Sequence, residues 1–362
     1  MQLDFEARVQ QELVLAIRRY WAGPLYRTVV DQAEEILRLD PDTDVPGLER
    51  AMSTSAAYQV FGWLEQHLQQ EKYCGPRGLL QAARRQSGAI TAELDRTASL
   101  HAERLVLDPD IELPAYYRET DFHLVPGGIH SRDYDGVVYE WAAGSTTMMS
   151  NENVSVHDAL AAHIAGLRPA RVLDVGCGFG RTLDALAPLL PDAWLAGCDL
   201  SAPALRVAHH HAVTRGRPVH LRQARAEDLG PYPDASFDVV TATMLIHEMP
   251  QAAVLAFLRA ARRVLRPGGR LAILDFYRIP GQTLGLFFHL GHARRNGEPY
   301  MPDLLGLDLE GELRGAGFLE SSTTPFPDGA AAHQLPSRWR LPWTLIEAVA
   351  GRTDGAGPTD DV

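Results

Sequence analysis

Residues 171–180, RVLDVGCGFG, decide the fold. A short apolar run, Val172 to Val175, leads into glycines at alternate positions, Gly176, Gly178 and Gly180, and a helix-compatible run follows from Arg181. Glycines at these places let the chain turn sharply from strand to helix, and let a ligand lie against the main chain. Their spacing discriminates between ligands. A dinucleotide fingerprint requires glycine at 181, where Arg181 stands, and a phosphate loop requires a following Gly-Lys-Ser/Thr, which is absent.

The second half of the signal lies one strand later. In WLAGCDLS, residues 194–201, Asp199 falls where a carboxylate at the carboxyl edge of a sheet can accept hydrogen bonds from two ribose hydroxyls. Asp174 can meet the ammonium of a methionine moiety through a charge-assisted contact. Read alone, Asp199 also fits a helix N-cap, with Ser201 competing for that place.

Working outward, strand–helix alternation starts at Asp158. Strands are expected at 171–175, 194–198, 219–223, 237–242 and 270–276, with the 252–265 helix the clearest of those between them. Such βαβ units imply an α/β fold, a Rossmann-like, doubly wound, mostly parallel sheet. The first hundred residues read instead as helices. Phe5, Val9, Leu13 and Ile17 recur every four residues, as do Val29, Ala33, Ile36 and Leu37, with Pro24 separating the two runs. A third pattern runs through Leu48, Met52, Phe61, Leu64 and Leu68, and a fourth helix is expected over 79–105. The division expected is an N-terminal helical domain at 1–106, a Pro/Gly/Asp-rich linker laid over a surface at 107–133, a cofactor-binding domain at 134–350 and a flexible tail at 351–362.

Four motifs in order, VLDVGCGFG, GCDLS, SFDVVTATMLIHEMP and VLRPGGRLAILD, make residues 134–318 resemble the class I S-adenosylmethionine-dependent methyltransferases of the ubiquinone/menaquinone-methyltransferase-like type. The resemblance implies that S-adenosyl-L-methionine is the cofactor. It also implies that Asp174, Gly176, Cys177, Gly178, Asp199 and Leu200 line its site, with Thr243 in the fourth-strand motif. One departure stands out. The family often has an aspartate beside the adenine amine; here the sequence is Ala224-Arg225-Ala226-Glu227. Arginine has no acceptor for that amine, so either Glu227 or a backbone carbonyl is expected to take its place, or the adenine is held mainly by stacking and the Ala226 amide.

The methyl of a sulfonium is already activated, so such a site must align the acceptor and remove its proton. His247, in LIHEMP, titrates near neutrality at the strand end facing the cofactor and is the expected base; the alternative is a histidine that only shapes the pocket. Glu248 is expected to point away. The segment 134–154 reads as a lid, in which Tyr134, Tyr139 and Trp141 offer aromatic faces to a cation and Met148 and Met149 an adaptable wall. His289 and His292 are expected to line the acceptor pocket, without a metal. The triplet His209, His210 and His211 reads as an exposed or half-buried helix face.

Bulk composition narrows the partners. Hydrophobic residues make up 46% and charged residues 22%, as in an ordinary globular protein. Three cysteines with no C-x-x-C fit a reducing cytoplasm, and no run of ~18 apolar residues suggests a membrane span. A net charge of −12 disfavours nucleic acid. The expected function is methyl transfer to a small-molecule metabolite or natural-product intermediate through O, N or activated C. The alternatives are a protein or RNA acceptor, or a relative that binds the cofactor without transfer. A homodimer through the N-terminal helices is a further expectation.

Overall fold

Short, almost wholly apolar runs make the core of the sheet: all seven residues of Phe237–Thr243 are buried, as are four of the five in Arg171–Val175. Strands of this kind need helices on both faces. The computed structural model describes residues 1–146, 156–277, 283–326 and 343–351. Eight strands form one sheet: β1 (Leu105–Val106), β2 (Arg171–Val175), β3 (Trp194–Asp199), β4 (Val219–Gln223), β5 (Phe237–Thr243), β6 (Leu265–Phe276), β7 (Phe318–Pro325) and β8 (Trp343–Ala350). Their order is β1-β4-β3-β2-β5-β6-β8-β7. All neighbours are parallel except β6 with β8 and β8 with β7. The five expected strands are thus present and in one sheet. The antiparallel pair at the far edge was not expected.

Within this half lie α8 (Asp135–Thr146), α9 (Val156–Gly166), α10 (Arg181–Leu186), α11 (Ala202–Thr214), α12 (Gln251–Val264), α13 (Thr283–Asn296), α14 (Met301–Gly306) and α15 (Leu309–Gly315). They bury the sheet in two cores. Phe257, Leu258 and Leu313 belong to one, and Leu160, Leu183 and Leu205 to the other. Each such side chain contributes about 1.5–3 kcal/mol by leaving water. His209 is not on an exposed face: it is buried, and its Nε2 donates to the Leu100 carbonyl at 2.9 Å, tying α11 to the N-terminal helices.

The N-terminal part comprises α1 (Phe5–Tyr20), α2 (Tyr26–Leu39), α3 (Val45–Met52), α4 (Ala56–Cys74), α5 (Leu79–Arg85) and α6 (Ser87–Ala98). Asp4, Asp44 and Ser55 cap α1, α3 and α4 by accepting from backbone N–H groups. Pro24 does not break the chain, because a wider π-type turn over Trp21–Leu25 carries α1 into α2. The third and fourth expected helices each divide in two, and the last residues before the linker pair with β4 as β1. The α1 pattern is reversed: Phe5, Val9 and Leu13 are exposed, while Ala7, Gln11, Val14 and Arg18 are buried.

The 107–133 segment is packed rather than merely laid on a surface. It forms α7 (Ala115–Arg118) and a 3-10 turn at Phe122–Leu124, and it buries Tyr117, Phe122 and Val125. Among the described residues no helix is long and apolar enough to cross a membrane.

Candidate active site

Order in the sheet reverses between β2 and β5, and the crevice at the carboxyl ends of these strands is where an open α/β sheet takes its ligand. The turn leaving β2 holds Gly176 at φ 66°, Gly178 at φ 52° and Gly180 at φ 85°. A Cβ on Gly176 would also lie 2.7 Å from Leu245 Cδ1, so both conformation and space require glycine there. Asp199, at the end of β3, fixes this turn. Its Oδ2 accepts from the Gly178 N–H and its Oδ1 from the Ser201 N–H, each at 2.8 Å. Burial pushes its pKa up to about 6, with the charge of Glu248 adding to the rise.

Among the described residues, buried carboxylate oxygens without a hydrogen-bond partner include Asp174 Oδ1 and Glu298 Oε2 in the cavity and Glu227 Oε2 after β4. Burial, then the charge of Asp199, raises Asp174 well above the usual carboxylate range. The other oxygen of Glu227 accepts from Tyr116 Oη of α7 at 2.9 Å. A ligand ammonium in the cavity would supply the donor that Asp174 lacks, so this residue fits the methionine end of S-adenosylmethionine. Glu227 is not among the residues lining that cavity and instead borders a separate pocket with Arg225 and Asp228. Arg225 instead pairs with Asp228 in an exposed ion pair. Ala226 is buried beside Glu227, and the Leu200 carbonyl accepts from Gln223 Nε2 at 2.8 Å. Thr243 Oγ1 lies 3.2 Å from Thr182 Oγ1, which lies 3.0 Å from His157 Nδ1. Burial and then the Arg181 cation hold His157 neutral, at about 3. Cys177 is kept protonated by burial and by Asp174 and Asp199.

A single cavity brings together Asp174, Gly176, Cys177, Gly178, Thr243 and His247 with Tyr139 and His292. His247 sits in a 3-10 turn after β5, and its Nδ1 lies 2.6 Å from Asp275 Oδ1 at the end of β6. The same carboxylate accepts from three backbone N–H groups, those of Leu245, Ile246 and Phe276, at 2.7–2.9 Å. With backbone donors already on both of its oxygens, the carboxylate accepts from His247, so Nδ1 is the donor and Nε2 faces the cavity. Burial opposes a charge on His247, but Asp275 outweighs it and lifts the pKa to about 9.

Glu248 faces the cavity rather than away from it, because a 3-10 turn, not an α-helix, carries the pair. Its Oε1 is 3.0 Å from His123 Nε2 and 3.9 Å from His247 Nε2. His123 Nδ1 is 3.5 Å from Glu298, which is 3.4 Å from His292 Nε2, and His292 Nδ1 is 2.7 Å from Glu65 of α4. This chain of alternating acids and histidines joins the helical part, the 107–133 segment and the sheet. Against its burial, His123 is raised to about 10 by Glu248 and Glu298; Glu298 is lowered by His292 and His123. Among the described residues no group of three or more His, Cys, Asp or Glu is arranged to hold a metal ion.

Other expected pocket residues lie elsewhere. Trp141 packs in the core between α8 and the N-terminal helices, its Nε1 donating to the Met1 carbonyl. Tyr134 borders the same core and is not at the cavity. His289 is buried with its ring 6.5 Å from that of Phe276 and does not line the cavity. Met148 and Met149 lie outside the described residues. Tyr139 does line the cavity, edge-on to Phe179 at 5.2 Å. Asp275, His123 and Glu65 had no local signal, since each meets its partner only through the fold.

Comparison with known proteins agrees with this geometry. A methyltransferase-domain family matches residues 172–269. The chain is 33% identical over 159 residues to the demethylmenaquinone methyltransferase of Thermus thermophilus, covering 44% of this chain and 68% of that one. It is 34% identical over 176 residues to the 27-O-demethylrifamycin SV methyltransferase of Amycolatopsis mediterranei, covering 46% and 63%. It is 37% identical over 123 residues to a ubiquinone biosynthesis O-methyltransferase of Xanthomonas campestris, covering 34% and 49%. The chain thus spans between half and about two thirds of the length of these curated relatives. It belongs to the class I S-adenosylmethionine-dependent methyltransferases. Its type is that of the ubiquinone and menaquinone methyltransferases, and S-adenosylmethionine is the cofactor.

Proposed function

We propose that the chain methylates a hydroxyl of a small, mainly apolar acceptor, with the His247–Asp275 pair as general base. The observation that carries this reading is the hydrogen bond from His247 Nδ1 to a carboxylate already fixed by three backbone donors. That bond orients the ring and sets the tautomer; because it also lifts the ring to about 9, Nε2 receives a proton only in the neutral fraction, and turnover should rise as pH approaches 9. Bound S-adenosylmethionine supplies an activated methyl on a sulfonium. In this reading Asp174 takes the ammonium, Asp199 the ribose hydroxyls and Glu227 the adenine amine. Gly176, Cys177, Gly178, Leu200, Ala226 and Thr243 form the surface against which the cofactor lies.

Trp21, Tyr139, Phe179, Phe276 and Trp343 give the acceptor side aromatic walls suited to a flat, apolar molecule. The relatives named for O-methylation of a rifamycin and for ubiquinone biosynthesis support an oxygen acceptor of that kind. Arg18, Trp21, Glu65 and His123 lie outside the matched 172–269 segment and still border this cavity. The acceptor preference is therefore assigned to the N-terminal helices and the 107–133 segment. His247→Ala tests the role: turnover falls by about 10²–10⁴ while cofactor affinity stays within a few-fold. An equal loss of turnover and cofactor affinity would make His247 a binding residue instead.

A further inference from the structure

Helix α1 carries its apolar side outward. Phe5, Val9, Leu13 and Tyr20 are 70%, 51%, 54% and 54% exposed, and Ala16 is exposed among them. Recurring every three or four residues, they form one stripe along the helix, opposite the buried face of Ala7, Gln11, Val14 and Arg18. Exposed apolar residues scattered singly need no explanation, whereas a continuous stripe marks a surface that something covers. The borders of the stripe carry charges of both signs, Glu6, Arg8, Glu12 and Arg19, all exposed and none in an ion pair among the described residues.

We propose that a second copy of this chain covers the stripe, two α1 helices pairing antiparallel about a two-fold axis. In such a pair each border of a helix faces the same border of its mate. Arg8 and Glu12 lie one turn apart on one border, so Arg8 meets the partner's Glu12 while Glu12 meets the partner's Arg8. An axis within one residue of that point brings Val9 against the partner's Leu13 and Phe5 against the partner's Ala16. Apolar and charged matching thus agree to within one residue. A bilayer surface would instead favour a basic border, and here acids and bases are balanced on a chain of net charge −12. One helix of 16 residues offers an interface at the small end of the stable range, so the dimer is expected to depend on protein concentration. The opposite face of the same helix brings Arg18 to the cavity, so pairing would hold a wall of the acceptor site in place.

Sedimentation velocity of the full chain from about 1 to 100 µM tests this. The wild type is expected to pass from monomer to dimer within that range, and Val9→Asp/Leu13→Asp to stay monomeric with an unchanged melting curve. Arg8→Glu should weaken the dimer about tenfold and Arg8→Glu/Glu12→Arg restore it, a pattern that general misfolding would not give. A wild type that stays monomeric throughout overturns the proposal, as does a dimer that survives in the double aspartate variant. Monomer that floats with neutral phosphatidylcholine vesicles, and loses this in the same variant, would overturn it in favour of a membrane surface.

Discussion

Replacing Asp275 by asparagine removes one oxygen and leaves the shape of the side chain unchanged. The carboxylate accepts four hydrogen bonds, two on each oxygen: Leu245 and Ile246 N–H on Oδ2, Phe276 N–H and His247 Nδ1 on Oδ1. An amide can accept on one side only. If its oxygen stays with the Leu245 and Ile246 pair, its NH₂ faces His247 and forces the proton onto Nε2, so the nitrogen left for the acceptor becomes a donor. If it flips, two buried backbone donors lose their acceptor, at about 1–3 kcal/mol each. The first arrangement costs less, so the wrong tautomer is the expected outcome and turnover should fall by about 10²–10⁴. The pH dependence of stability supplies an independent reading. His247 stands above its ordinary value at about 9, so the stabilisation it gives is complete below its unfolded pKa of ~6.5 and is lost as pH rises through about 9. That span corresponds to about 3 kcal/mol in the wild type and should shrink in Asp275→Asn to the smaller part that Glu298 and Glu248 supply. The assays are initial rates of S-adenosylhomocysteine release and denaturant melts across pH 6–10. A folded Asp275→Asn variant with turnover within threefold of wild type would refute the reasoning.

Other perturbations follow from the same geometry. Asp199 titrates at about 6, and the ribose hydroxyls it is proposed to hold need its ionised form; calorimetric affinity for S-adenosylmethionine should fall about tenfold from pH 7 to pH 5 in the wild type. Gly176→Ala places a Cβ against Leu245 in a left-handed conformation, at about 1–3 kcal/mol; the melting temperature should fall by a few degrees and calorimetry should show the cofactor bound at least tenfold more weakly. His123→Ala leaves Glu248 and Glu298 without their shared cation, at about 3 kcal/mol of stability in a urea melt. It also frees Glu248 to hold a proton on His247 Nε2, so the acid limb of the rate profile should move to higher pH.

What was legible in the sequence was whatever a local pattern encodes. The strands at 171–175 and 219–223 could be bounded to the residue because each is a short run closed by turn-forming neighbours. The far edge was not, since β7, LESST within it, is polar and mostly exposed, and reads as a loop until β8 lies beside it. Helix α1 shows the limit of periodicity: it marked a helix but named the wrong side as buried, because the inner face is held by polar contacts such as Arg18 to Gln69. The site divides in the same way. Gly176, Gly178 and Asp199 announced themselves by spacing, and His247 by its place after β5. Asp275 lies 28 residues further on, and Glu65 is 227 residues from His292, so neither contact has a trace in the sequence. Aromatic content likewise drew Tyr134 and Trp141 toward the cavity, although only the side on which each falls along α8 and before it sends Tyr139 there.

The most direct test incubates the full chain with methyl-tritiated S-adenosylmethionine and a set of hydroquinone and phenolic polyketide acceptors. The predicted result is label on an acceptor oxygen, matched mole for mole by S-adenosylhomocysteine and nearly abolished in His247→Ala. Label on nitrogen or carbon, or transfer by His247→Ala at the wild-type rate, would contradict the account.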